Sequence, residues 1–249
     1  MKVVYHEDYN QVYSFDPASA AGRIKAVEVT LRGKVTFVQP AAATREDIFR
    51  VHHPDYVKLV EREGVYEIAA LAAGGAIKAA KLGLSEPCFA LIRPPGHHAS
   101  ADRSWGFCYL NNMGIALEKL KQEGKINKAF VLDFDLHFGD GNVNILGNKG
   151  YATIFNPASQ NRNEYLKSVE EALARTDADM IGVSAGFDNH EVDWGRLLKT
   201  EDYTLMGQLV AQAAQRNNGG CFGILEGGYN HSILGVNVLA FINGLEDSM

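Results

Sequence analysis

The sequence predicts an α/β fold built on a parallel β-sheet. Short runs rich in β-branched and aromatic residues alternate with longer helical patterns along the chain. No Ser/Gly/Pro-rich linker separates them. Polar clusters stand directly after four of the runs, where an open parallel sheet places its chemistry. Strands separated by helices read as βαβ units, because a parallel pair needs a long crossover.

The strand runs are residues 3–5, 35–38, 88–92, 129–135, 152–155, 180–184 and 221–225. Helical patterns lie near residues 66–81, 112–122, 164–176 and 201–216. The first of these holds the Ala-rich run 69–73. Asn111 or Asn112 caps the second, and Thr200, ahead of Tyr203 and Leu205, reads as the N-cap of the last. His52-His53-Pro54-Asp55 reads as a helix start with Pro in the first turn, so this histidine pair is structural.

Composition limits what the chain can be. Of 249 residues, 46% are hydrophobic and 22% charged, which is globular rather than disordered. An α/β chain of this length is expected to form one domain over residues 1–249. Twenty-four Lys and Arg against 30 Asp and Glu give a net charge of −6, with no run of five like charges. That excludes the basic patch of a nucleic-acid or membrane-surface protein. Three scattered cysteines, Cys88, Cys108 and Cys221, form no disulfide framework and suit a reducing compartment. The chain turns polar after four residues and has no apolar run of membrane-spanning length. A cytoplasmic protein is the expectation.

The four clusters are Arg93-Pro94-Pro95-Gly96-His97-His98, Asp133 to Gly141, Gly186-Phe187-Asp188-Asn189-His190 and Glu226-Gly227-Gly228-Tyr229. In the second, strand alternation puts Val131, Asp133, Asp135 and His137 on one face. Leu132, Phe134, Leu136 and Phe138 take the other. Two buried carboxylates on one face need a cation or a proton between them. A lone Asp-x-His would read as a hydrogen-bonded strand end. With Asp133 and Asp140 beside it, a divalent metal on Asp135 and His137 is the better reading. Asp188, after the flexible Ala185-Gly186 pair, is the third ligand, although a loop carboxylate capping a helix is the plainer role. Asp193 nearby is the better cap. Three protein ligands leave a position open for water, as catalytic zinc requires. The donor set is hard enough that Fe²⁺ or another divalent ion competes.

His97 and His98 follow a Pro-Pro-Gly turn and can both face one cleft. A histidine has the near-neutral pKa of a general base, and Asp133 and Asp140 can hold the two imidazoles in one tautomer. The plainer reading is a pair of metal ligands or surface histidines. The phenol of Tyr229, after two glycines, can donate to a developing oxyanion, or can be a core side chain after a turn. Phe107 can wall an apolar channel. Cys108 lacks any low-pKa context and reads as packing.

Taken together, RPPGHHA, GFCYLNN, LDFDLHFGDG, SAGFD and LEGGY resemble the histone deacetylase and acetylpolyamine amidohydrolase family, in that family's order. The flanks YHEDY and VHHPDYV are also similar. The resemblance implies the arginase–deacetylase fold, a three-layer α/β/α domain with a mostly parallel central sheet. It implies a mononuclear zinc amidohydrolase that removes an acetyl or acyl group from an amine such as acetyl-lysine or an acetylpolyamine. By the same resemblance, Asp135, His137 and Asp188 match the metal ligands, and His97 and His98 the paired histidines, with His98 the base. Asp133 and Asp140 match their carboxylate partners, Tyr229 the carbonyl-polarising residue, and Gly106 and Phe107 the acyl-tunnel wall. A structural K⁺ on the backbone of residues 133–137 is a further implication.

Several positions depart from the pattern. Phe138 stands in place of a second His, Trp194 in place of Pro, and Gly195 in place of a bulky rim residue. Phe155-Asn156-Pro157-Ala158 does not resemble the opposite tunnel wall. Residues 56–74 leave little room for the rim loop, so an open mouth or a rim completed by a second subunit of a homo-oligomer both stay open. Two rivals remain: an arginase-like binuclear hydrolase, which needs a late second metal pair absent here, and a module that binds acyl amines without turnover.

Overall fold

The computed structural model describes residues 1–247. Seven strands form one sheet: β1 (Lys2–Val4), β2 (Thr36–Val38), β3 (Cys88–Ala90), β4 (Ala129–Asp133), β5 (Ala152–Phe155), β6 (Met180–Ala185) and β7 (Gly220–Leu225). They pair in the order β2-β1-β3-β7-β6-β4-β5, and every pairing is parallel. The central strands β3, β4, β6 and β7 are buried along their whole length. This is why they read as near-continuous apolar runs rather than alternating ones.

The helices are α1 (Arg23–Leu31), α2 (Arg45–Phe49), α3 (Pro54–Arg62), α4 (Tyr66–Gly83), α5 (Asn112–Gln122), α6 (Asp140–Leu146), α7 (Arg162–Arg175), α8 (Thr200–Arg216) and α9 (His231–Glu246). They divide into two layers. On one face α8 packs on α9 and α7, and α9 packs on α1; on the other α4 packs on α5 and α3, and α5 on α2 and α6. Both α4 and α8 lie against β7, from opposite sides. The predicted α/β architecture is thus observed, with the sheet fully parallel among the described residues. None of these helices is long and apolar enough to cross a membrane.

One consequence of the strand order positions the site. The four strands that precede the polar clusters, β3, β7, β6 and β4, are consecutive neighbours in the sheet. Clusters separated by up to about 130 residues therefore meet at one carboxyl edge, as the rule for open parallel sheets requires. Arg93 braces this edge from behind. Its buried guanidinium donates to the carbonyls of Tyr9, Ala18, Ala20 and Gln11, tying the N-terminal segment to the end of β3.

Several boundaries differ from expectation. β3 and β4 end at Ala90 and Asp133, so Asp135 and His137 lie on a bend beyond the strand. The alternation holds for buried Phe134 but not for Phe138, which is 60% exposed. Thr200 is the first helical residue of α8, not its cap; Asp202 accepts from the Lys199 backbone N–H at 2.8 Å. Asp193 caps no helix and instead accepts from the backbone of Trp194, Tyr229 and Asn230. Asn111 does cap α5, accepting from Gly114 N at 2.6 Å, and Pro54 opens α3. Unpredicted α9 is apolar nearly all round, and α1 buries Arg23 and Glu28; neither shows a clean polar face.

Candidate active site

Asp135, His137 and Asp188 converge. His137 Nδ1 lies 3.1 Å from Asp135 Oδ1 and 3.2 Å from Asp188 Oδ2. One donor atom from each residue falls within 4.8 Å of the others. Both carboxylates are buried, and backbone amides aim them. Asp135 accepts from His137 N and Gly227 N, each at 2.9 Å, and Asp188 Oδ1 from Leu136 N at 3.0 Å. Asp188 Oδ2 is buried and accepts no hydrogen bond. Two carboxylate oxygens and one imidazole nitrogen around one point, with an orphaned buried oxygen among them, are a donor set fitted to a divalent cation. Their mutual electrostatics fit as well. Burial and the charge of Asp135 push Asp188 up to about 6, while hydrogen bonding to the Asp135 carboxylate, with the Asp188 carboxylate beside it, drives His137 up to about 10. Gly227 is required here: a Cβ would come within 2.5 Å of Asp135 Oδ2 and 2.6 Å of Asp188 Oδ2.

His97 and His98 stand beside this cluster with ring centroids 4.0 Å apart. Each has its own carboxylate. His97 Nδ1 meets Asp133 Oδ2 at 3.2 Å, and His98 Nδ1 meets Asp140 Oδ1 at 2.7 Å. Asp133 comes from the last residue of β4 and Asp140 from the first of α6. Their surroundings act on the two rings in opposite directions. Burial opposes protonation of His97, but Asp135 and Asp133 outweigh it and hold the ring well above its ordinary range. Burial and the neighbouring charge on His97 push His98 down to about 4.

These groups open into a cavity of about 300 Å³ walled by Pro95, Trp105, Gly106, Phe107, Trp194 and Tyr229, with His97, His98, His137 and Gly227 also lining it. Gly106 (φ 58°) leaves room for the imidazole; a Cβ there would lie 2.3 Å from His98 Cδ2. The Tyr229 ring stacks on Trp194 at 4.0 Å and meets the edge of Phe107 at 6.0 Å. Burial, then the charges of Asp135 and Asp188, raise its phenol far above the ordinary range, so it stays a donor.

A profile described as histone deacetylase domain matches residues 17–156, more than half of the chain. A probable deacetylase of Archaeoglobus fulgidus is 30% identical over 92% of this chain and 81% of its own. The chain belongs to the histone deacetylase family. A histone deacetylase-like amidohydrolase of Pseudomonas aeruginosa is 26% identical over 94% of this chain and 80% of its own. The acetylpolyamine amidohydrolase of Mycoplana ramosa is 27% identical over 73% of this chain and 64% of its own. The crystal structure of the HDA15 HD domain has the same fold, with a TM-score of 0.83 at 22% identity over 100% of this chain and 90% of that one. The chain is a hydrolytic deacetylase of this family. The profile match ends ahead of Asp188 and Tyr229, which the sheet brings to the other residues.

The departures noted in the sequence take definite places in this family member. α3 and α4 are separated by three residues, 63–65, so no rim loop rises there. Trp194 lines the cavity, Phe138 points to solvent, and Asn156, Pro157 and Ala158 line a separate 200 Å³ hollow behind His137. His190 turns away: its Nδ1 accepts from Val192 N and its ring lies over Tyr203. Cys108 is buried and its thiol is raised well above its ordinary range by burial, as packing requires.

Sequence reasoning assigned no role to two residues that build the site. Glu226 is buried, and its Oε2 accepts from Gly96 N at 2.7 Å and His97 N at 3.3 Å, fixing the histidine loop. Arg23, buried in α1, donates to the Glu226 and Gly228 carbonyls at 2.6 and 2.8 Å and lies over the Tyr229 ring at 5.4 Å. The available signal was chemical: a carboxylate directly after the apolar run of β7, and an arginine opening the largely apolar α1.

Proposed function

We propose that this chain hydrolyses the amide of an N-acetylated or N-acylated amine, such as acetyl-lysine or an acetylpolyamine. Asp135, His137 and Asp188 would hold one divalent ion, zinc or Fe²⁺. The observation that carries the reading is a three-ligand cluster sharing one cavity with two His–Asp pairs and a phenol donor. When bound, the ion supplies Lewis acidity toward the amide and activates water at neutral pH. The chain's own residues supply the rest. Asp140 holds the proton on His98 Nδ1, which leaves Nε2 free to take a proton from the attacking water. His98, oriented by Asp140, is placed for that role; His97, held by Asp133 and close to Asp135, would steady the charge that develops at the site. Tyr229 donates to the oxyanion of the tetrahedral intermediate. A protonated histidine then returns a proton to the leaving amine.

Phe107, Gly106 and the two indoles would wall the acyl chain and its linker. The Mycoplana ramosa relative, named for acetylpolyamines, supports a small acyl amine as substrate. A structural K⁺ on the 133–137 backbone completes the proposal, and three buried free cysteines are consistent with cytoplasmic work. The test is acetate release from acetyl-lysine peptides, acetylpolyamines and other acyl amines by the metal-reconstituted chain. Turnover lost on His137→Ala or on metal removal is expected. Full activity in either case, or ligand binding with no acetate released, refutes the reading.

A further inference from the structure

We infer that Trp105 is a positioning residue for the His98–Asp140 pair, acting through an indole hydrogen bond and a ring stack. The inference rests on the hydrolytic role proposed for His98. Trp105 Nε1 donates to both oxygens of Asp140, at 2.9 and 3.1 Å. The indole lies flat on the His98 imidazole, with centroids 3.8 Å apart and planes inclined by 30°. One side chain thus grips both members of the pair.

The two His–Asp pairs differ in how much help they need. Asp133 is fully buried, and Asn142 Nδ2 donates to its Oδ2 at 3.0 Å. The Asp140 side chain is 43% exposed. Water would compete there for the oxygens that orient His98. Trp105 supplies the N–H that Asn142 supplies to the other pair, and its ring covers the imidazole face. Burial acts to raise the Asp140 carboxyl, and the bonds from Trp105 and His98 outweigh it and keep it below the ordinary aspartate range. The indole is itself 54% exposed, yet its polar edge and one face are both engaged.

The backbone is built for this placement. Gly106 (φ 58°) and Phe107 (φ 66°) are both left-handed, and such a conformation in a bulky residue persists only where its surroundings enforce it. The turn sets Trp105 on the His98 side of the cavity and Phe107 against Tyr229.

The experiment uses the full zinc-loaded chain and three variants: Trp105→Phe, which keeps a ring for stacking and removes the N–H, Asp140→Asn, and the double variant. With only two tryptophans, the indole N–H signals are resolvable by NMR. Asp140→Asn is expected to move the Trp105 signal and leave that of Trp194 in place. Trp105→Phe is expected to lower kcat roughly tenfold, the usual loss for a residue that orients a catalytic group, with KM little changed. The double variant is expected to be no slower than Asp140→Asn alone, because the indole acts through Asp140. A Trp105 signal unmoved by Asp140→Asn, additive losses, or a loss confined to KM overturns the inference. The NMR arm needs no turnover. A parent chain that hydrolyses no acyl amine refutes the proposed function separately.

Discussion

Gly227→Ala crowds the proposed metal cluster without replacing any of its three proposed ligands. Gly227 carries no positive φ, unlike Gly228 at 112°, so alanine meets no backbone penalty. The added methyl would lie 2.5 Å from Asp135 Oδ2 and 2.6 Å from Asp188 Oδ2, against an ordinary contact above 3.4 Å. Both carboxylates, or the turn itself, must retreat by several tenths of an ångström. The retreat also weakens the 2.9 Å bond from Gly227 N to Asp135. Overpacking of this kind costs about 1–3 kcal/mol of stability. Misaligning two of the three proposed ligands should lower metal affinity about 10- to 100-fold, the range for lost ligand orientation, or roughly 1.4–2.7 kcal/mol of binding. Zinc competition against a chromophoric chelator measures the affinity, and circular dichroism verifies folding. A folded Gly227→Ala chain that binds zinc as tightly as the parent would show that Asp135 and Asp188 do not share an ion.

Gly106→Ala addresses the neighbouring pair instead. Its methyl would strike the His98 ring at 2.3 Å, so kcat should fall on the order of 10²-fold while zinc affinity is retained; parallel loss of both would refute separate roles for the two groups. Tyr229→Phe should lower kcat by about 10²–10³ with metal content unchanged, and an unaltered kcat in acetate-release assays would remove the phenol from the reaction. His52 gives a pH signature away from the site. Burial lowers it to about 4, and its Nε2 accepts from Asn111 N at 2.8 Å, which requires the neutral ring. Its stabilising effect is therefore complete above pH ~6.5, the unfolded value, and is lost as pH falls from there toward the folded value. Between pH 7 and 5 this amounts to about 2 kcal/mol. Urea unfolding of the parent should show that extra loss relative to His52→Gln; equal pH dependence in the two proteins would refute it.

The sequence alone made the sheet and much of the candidate site legible, because both rest on local pattern. Each strand is a short apolar run, and each polar cluster follows one within a few residues. Strand-end chemistry is a general property of parallel α/β folds, so Asp133, Asp135, His137, His97, His98, Asp188 and Tyr229 could be named from spacing and residue type. Helix ends were less legible: Thr200 has the chemistry of a cap, but Asp202 satisfies the Lys199 amide.

Only the tertiary structure decided which strands are neighbours, and with that which clusters meet. The order β3-β7-β6-β4 is written nowhere in the local pattern, since it depends on how the crossovers pack. The same holds for Glu226 under the histidine loop, Arg23 behind Tyr229 and Trp105 on His98, whose partners lie 130, 205 and 7 residues away. Trp105 and His98 are close in sequence, yet their contact needs two left-handed residues that no periodicity announces. A side chain's type limits what bonds it can make, but only packing of the whole chain fixes the partner and the angle.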